Sequence, residues 1–378
     1  MHPIYLDCNA TTPLDPEVID ILVYYLTKEY GNEGSRTHEF GARAKQAVQK
    51  ARDQIATVAA AKREEIIFTS GATESNNLAI LGLREIGKIQ NKQHIITSEI
   101  EHKAILEPCF ALEKDGFEVT RLPVGSAGYV SPEELEAALR PDTLLVSIMQ
   151  ANNETGIRQP IGDIATVLCN HEAFFHTDAA QGFGKDIETL QNQRIDLISV
   201  SGHKLFAPKG VGALITRRRG YERIPIKGLV YGGGQERGLR PGTLPVALIV
   251  ALGKASEIAL RDNFKRQLQC KKIRASAMKS LAPLKPKLTG DQSQVMDHVL
   301  NCSFDGLDSE ALMIALKDLI AISNGSACTS SSYTTSHVLK AMGMEDHEAN
   351  ACVRISWCHI TPEVDWELIA ARIRTIMK

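Results

Sequence analysis

Between residues 64 and 217 the apolar positions come in short continuous runs rather than in alternation, at 66–68, 94–97, 117–120, 144–148, 173–175, 197–200 and 212–215. Runs of this length without a polar face suit strands covered by helices on both sides. With helical spacing in between, the pattern predicts an α/β fold built on a mostly parallel seven-stranded sheet. Flanking segments predict a helix over 16–25, with Asp15 as N-cap and Pro16 at the first position, an amphipathic helix over 40–60, and a helix over 76–86. A long helical stretch runs from 245 to about 278. Beyond it the alternation shortens to strand 299–304, helix 309–316, strand 319–322, helix 335–341, strand 352–356 and a closing helix opened by Thr361 and Pro362. Two units are expected, a large one over 15–255 and a smaller α+β one made of 1–14 and 256–378.

Sheets of this kind gather ligands beyond the carboxyl ends of their strands, so the residues just after each run carry the chemistry. After the sixth run stands Ser201-Gly202-His203-Lys204. A lysine beside apolar walls has its charged form disfavoured, and its neutral amine can form a Schiff base with a carbonyl. Asp178 ends the fifth run, 26 residues earlier. An aspartate for a ring nitrogen and a lysine for an aldehyde are the two partners that pyridoxal phosphate needs. After the first run, Thr69 to Ser75 forms a glycine turn feeding a helix N-terminus, which suits a phosphate monoester; a turn of this kind also serves as a plain N-cap. His102, after the second run, is placed to stack on or exchange protons with a planar ligand. The amide-rich turn 149–156 can donate hydrogen bonds to a phenolate oxygen, and Gln181 follows the fifth run close to Asp178.

Two further segments stand out. Residues 231–243 are rich in glycine and arginine, and their arginines and Thr243 can reach a phosphate, including one in a neighbouring subunit. Residues 323–332, with glycine and five serines, offer little apolar burial, so a mobile loop with Cys328 at its middle is expected and a functional thiol with it. Arg354, inside the last strand, is costly to bury without an anion. A substrate carboxylate or a structural salt bridge would satisfy it equally.

Composition narrows the classes. The 378 residues, 43% hydrophobic, are enough for a sizeable core, and a net charge of −2 gives no general attraction to nucleic acid or to an anionic membrane. The eight cysteines contain no C-x-x-C pair, so neither a zinc site nor a disulfide framework is expected, and most should be buried as small hydrophobes. No signal-peptide core or membrane-length apolar run is present, and a cytoplasmic location is expected.

Taken together, Tyr5-Leu6-Asp7, Thr69 to Ser75, Ser201 to Lys204, Arg240-Pro241-Gly242-Thr243 and Gly325 to Ser330 resemble the NifS/IscS-type cysteine desulfurases, pyridoxal-phosphate enzymes of the class V aminotransferase family with the aspartate-aminotransferase-like fold. The resemblance implies conversion of L-cysteine to L-alanine by a homodimer, with sulfur held as a persulfide on Cys328 for an acceptor protein. It implies that Lys204 holds the cofactor and moves the Cα proton, Asp178 pairs with the pyridinium nitrogen, Gln181 bonds the phenolate and His102 stacks on the ring. Ala72, Thr73, Ser201 and His203 would hold the phosphate, with Thr243 contributed across the dimer, and Asn153, Arg354 and Asn32 would take the substrate. Two stretches depart from the family pattern, Asn32-Glu33-Gly34 and Trp357-Cys358-His359, and would alter the cleft wall or partner contacts. The chain also stops at Lys378 without the extension by which the iron–sulfur enzymes dock their scaffold. That leaves iron–sulfur cluster assembly, a nitrogenase-type system or DNA phosphorothioation open as destinations. A selenocysteine lyase, another lyase of the fold, and a scaffold in which Cys328 is a transient iron–sulfur ligand are the competing readings.

Overall fold

The computed structural model describes residues 2–324 and 335–377. All seven apolar runs form strands of one sheet: β2 (Ile66–Thr69), β3 (His94–Ser98), β4 (Glu118–Leu122), β5 (Thr143–Ser147), β6 (Phe174–Asp178), β7 (Leu197–Ser201) and β8 (Gly212–Thr216), after a short β1 (Ile4–Tyr5) outside it. Their order is β2-β8-β7-β6-β5-β3-β4. Only β8 runs against its two neighbours, so the other six deliver their carboxyl ends to one edge. Every residue of β2, β3, β5 and β7 is buried, as two covered faces require.

Helices α1 (Pro16–Thr27) and α2 (Glu39–Val58) pack on one side with the helix Val246–Arg261. Asp15 caps α1 by accepting from the Glu17 N–H at 3.0 Å. The helix expected over 76–86 is instead two, α3 (Ala72–Leu81) and α4 (Arg84–Gln90), with α3 beginning at the glycine turn itself. The long stretch after Pro245 also breaks, at Asp262, into Val246–Arg261 and Asn263–Leu281.

The carboxyl-terminal part adds β9 (Lys287–Leu288), β10 (Val299–Ser303), β11 (Ile320–Ala321) and β12 (Val353–Ser356), with β10 central in an antiparallel three-stranded sheet and β11 pairing in parallel with β1. A separate apolar core forms here around Leu6, Leu300, Phe304, Ile355, Trp357 and Trp366. Val338, Leu339 and Met342 join the larger core under the main sheet. The closing helix does not start at Thr361 and Pro362. It spans Trp366–Ile376 and is capped by Asp365, which accepts from the Leu368 N–H at 2.9 Å, because the Thr361 hydroxyl is already used as acceptor by the Cys358 N–H at 2.9 Å. Among the described residues no helix is long and apolar enough to cross a membrane.

Candidate active site

The carboxyl ends of β2, β3, β5, β6 and β7 open into one cleft of roughly 450 Å3. Ala72, Thr73, His102, Asn153, Asp178, Gln181, Ser201, His203, Lys204 and Arg354 all line it. Ten of the positions expected from the sequence are therefore brought together by the sheet topology.

Lys204 closes a single helical turn, Gly202–Lys204, directly after β7. Its ammonium is held by two backbone carbonyls of the N-terminal segment, Asn9 O and, at 2.9 Å, Ala10 O. That segment is fixed in turn by the Asn9 N–H donating to Ser356 Oγ at 2.9 Å and by Gln181 Nε2 donating to Asn9 O at 3.0 Å. Asp178 is the last residue of β6 and is buried. One carboxylate oxygen accepts from Asn76 Nδ2 at 2.7 Å and the other from the Ala180 N–H at 2.9 Å, so its direction is set before any ligand arrives. Asn76, on the inner face of α3, is a member of the site that no motif announces.

His102 caps α5 (Lys103–Lys114): its Nδ1 accepts from the Ala104 N–H at 3.1 Å, which places the ring proton on Nε2. Burial disfavours its cation and pulls the pKa below the ordinary value, against the opposing pull of Asp178, leaving a neutral ring. Next to it Glu101 is fully buried, with Oε1 accepting from Ser98 Oγ at 2.6 Å and from the Met149 N–H at 2.9 Å. Desolvation raises its pKa to about 8, so Glu101 is protonated at neutral pH. His203 contacts Thr11 Oγ1 at 3.2 Å, and burial with nearby Lys204 lowers its pKa to about 4.

Gly71 precedes α3 with φ +155, in the region that favours glycine, and no side chain caps this helix. A Cβ at Gly71 would have only Ser201 Oγ within contact, at 4.0 Å, so the free N–H groups of the first turn face open space flanked by a hydroxyl. Gly212, beneath, allows the approach: a Cβ there would lie 2.6 Å from the Gly71 Cα.

Arg354 is almost wholly buried at the far wall, with Nη2 on Asp7 Oδ1 at 2.6 Å and Nη1 on the Asn153 carbonyl at 3.0 Å. Its Nε has no partner among the described residues, and the same holds for Gln181 Oε1, Asn9 Oδ1 and Asn76 Oδ1 around the same cleft. The open first turn of α3, the oriented Asp178, the second hydrogen of Gln181 Nε2 and the lysine fit pyridoxal phosphate. They would take its phosphate, its ring nitrogen, its phenolate and its aldehyde respectively.

Other expected residues lie elsewhere. Asn32 is exposed and accepts from the Gly34 N–H at 2.8 Å in its own turn, outside the cleft. Thr243 is exposed and does not line the cleft of its own chain. The arginines of 231–243 are engaged within the chain, Arg240 with Glu74 at 2.9 Å and Arg237 with the Glu64 carbonyl. Trp357 is buried against Trp366 rather than in the cleft wall. Cys328 lies outside the described residues. Of the other cysteines Cys169 is exposed and six are buried. Among the described residues no group of three His, Cys, Asp or Glu side chains could hold a metal ion.

The aminotransferase class-V family model matches residues 4–368. The cysteine desulfurase IscS of Vibrio vulnificus is 44% identical over 379 residues, covering 100% of this chain and 93% of that protein. The crystal structure of DndA from Streptomyces lividans is similar with a TM-score of 0.83 at 48% identity, over 94% of this chain and 99% of that one. The structure of SspA in complex with cysteine is similar with a TM-score of 0.80 at 36% identity, over 96% and 99%.

Proposed function

Because this chain belongs to the class-V aminotransferase family, we propose that it is a pyridoxal-phosphate-dependent cysteine desulfurase, which takes L-cysteine to L-alanine and passes the sulfur on through a protein thiol. The single observation that carries this reading is the meeting of Lys204, Asp178, His102 and Arg354 in one cleft beside an uncapped helix N-terminus. When bound, pyridoxal phosphate supplies an electron sink for the substrate's Cα.

The chain's own groups do the rest. Lys204 would hold the cofactor through its aldehyde, and its amine, which rests on the Asn9 and Ala10 carbonyls, would move the proton at Cα. Asp178, held by Asn76 and Ala180, would pair with the ring nitrogen and favour its protonated form. Neutral His102 would offer an uncharged ring face, and the second hydrogen of Gln181 Nε2 is left for the phenolate. Ala72, Thr73, Ser201 and His203 take the phosphate. Thr243, exposed on its own chain, joins them from a second copy in a homodimer. Arg354 and Asn153 fix the substrate carboxylate, and Asn32, tied into its own turn, is left out. The Cys328 thiolate would bond to the substrate sulfur as the Cβ–S bond breaks, the bonding pair staying with Cβ, which takes a proton to become the methyl group of alanine; the outer sulfur of the persulfide would then pass to an acceptor protein in iron–sulfur cluster assembly or DNA phosphorothioation.

The test is turnover. Reconstituted protein with L-cysteine and dithiothreitol is expected to form alanine and sulfide one to one, and Cys328→Ser to stop sulfide release. A protein that binds the cofactor and forms no alanine would overturn the assignment.

A further inference from the structure

The segments that wall the cleft at Asn9, Ala10 and Lys204 continue, through Cys8 and Phe206, into the wall of a second cavity of roughly 120 Å3. Three of its lining residues are cysteines, Cys8, Cys270 and Cys358, and they share it with Lys185 and His298. Cys8 and Cys358 stand 350 positions apart, yet the fold sets them side by side. Asp7 bridges Ser356 in parallel, the Cys8 N–H donates to the Ser356 carbonyl at 3.0 Å, and both side chains pack on Phe206. The two thiols line the same small cavity and pack against one ring, and the Thr361 hydroxyl donates to Cys358 Sγ at 3.6 Å.

The surroundings separate the roles of the two sulfurs. The Thr361 hydroxyl points its hydrogen at Cys358 Sγ and the Lys185 cation lines the same cavity, so of the two neighbouring sulfurs Cys358 is favoured as the thiolate, with Cys8 beside it as the thiol. Lys185 keeps some exposed surface within the cavity, yet the protein around it excludes bulk water and lowers its pKa to about 8. It donates to His298 Nε2 at 3.4 Å, and of the three cysteine sulfurs near it the Cys358 thiolate is the one whose charge stabilises its cation. His298 and His359 are held neutral by burial, and Arg266 is committed to Asp15 at 2.8 Å. Burial pushes Cys270 up to about 12, which leaves it inert.

We propose that Cys8 and Cys358 form a dithiol–disulfide site, oxidised by a small hydroperoxide that enters this cavity and reset by a low-molecular-weight thiol. The Cys358 thiolate attacks the terminal peroxide oxygen; the O–O bond breaks, the leaving oxygen takes a proton as alcohol or water, and Cys358 becomes a sulfenic acid. Cys8 sulfur then attacks that sulfur, the S–O bond breaks, and the hydroxyl departs as water with the Cys8 proton. Two thiols give two electrons, and one hydroperoxide accepts them. The site is independent of the sulfur chemistry assigned to the cleft, although it sits one residue from the Asn9 carbonyl that holds Lys204.

Cys8 falls in tryptic peptide 1–28 and Cys358 in 355–372, each with one cysteine, so a link between them is read directly. The cofactor-loaded protein is treated with hydrogen peroxide at neutral pH, blocked with N-ethylmaleimide in denaturant and digested without reductant. The expected result is a cross-linked pair lighter by two hydrogens, resolved by dithiothreitol, forming at least about tenfold faster than Cys109 is oxidised. Cys358→Ser should give no link and return Cys8 alkylated. Recovery of both peptides alkylated from the unmutated protein while the exposed Cys169 is oxidised would overturn the proposal, and so would a link from Cys358 to Cys270.

Discussion

Arg354→Lys separates two roles that the geometry assigns to one side chain. The guanidinium spends one amine on Asp7 at 2.6 Å and the other on the Asn153 carbonyl at 3.0 Å, and its Nε is buried beside the cleft without a partner among the described residues. A lysine keeps the charge but offers one nitrogen, which cannot serve Asp7, Asn153 and a substrate carboxylate in one plane. One charge-assisted hydrogen bond to the substrate is lost, about 1.5–3 kcal/mol, which corresponds to roughly 10–150-fold. The loss should fall on the Michaelis constant for L-cysteine in an alanine-release assay, with kcat changed less, because the carboxylate is bound before and during the reaction alike. Chemical denaturation of the same variant measures the structural share, the weakened hold on Asp7. If stability falls while the Michaelis constant stays within about twofold, Arg354 is only the partner of Asp7 and does not bind substrate.

Further outcomes follow from other buried groups. Lys204→Ala should lower turnover by about 10^2–10^4-fold or more and abolish borohydride trapping of pyridoxal phosphate on the chain; trapping that persists elsewhere with full activity would refute the role. Glu101 has a folded pKa near 8, above its unfolded value of 4.5, so its stabilising contribution is complete below about 4.5 and is lost as pH rises toward 8. Melting temperatures across pH 5–9 should therefore fall more steeply for the unmutated protein than for Glu101→Gln, by up to a few kcal/mol in stability; parallel curves would count against a protonated Glu101. Glu236 is buried, accepting from Arg52 at 3.0 Å and from the Phe68 N–H at 2.7 Å. Glu236→Ala strands both donors and should cost about 3–5 kcal/mol in a urea titration, whereas a surface pair such as Lys287 with Asp305 should cost under about 1.

The sheet was legible because a strand covered on both faces is dominated by apolar residues, as most of the seven runs are; the edge strand β4, with Glu118 exposed, is the exception. Boundaries were harder where a side chain had two possible uses. Thr361 and Pro362 carry the signature of a helix start, but the Thr361 hydroxyl receives the Cys358 N–H and the helix waits for Asp365. Lys204, Asp178, His102 and the turn at Gly71 could be found because each follows a strand. Asn76 could not, since its only distinction is a 2.7 Å bond to an aspartate 102 residues further on. Asn9, Glu101 and the Cys8–Cys358 pair are also products of tertiary packing with no local pattern. The seating of Arg354 on Asp7 depends on the two ends of the chain meeting, and the sequence could only offer a salt bridge and a substrate carboxylate as alternatives.

The most direct test is a single turnover without reductant. The cofactor-loaded protein is mixed with one equivalent of L-cysteine, alanine is quantified, and the chain is digested and mapped for added sulfur. Cys328 is the one cysteine in tryptic peptide 318–340. The proposed reaction gives one alanine per active chain and one extra sulfur atom on that peptide. No alanine, or alanine with the sulfur on a different cysteine, would contradict it.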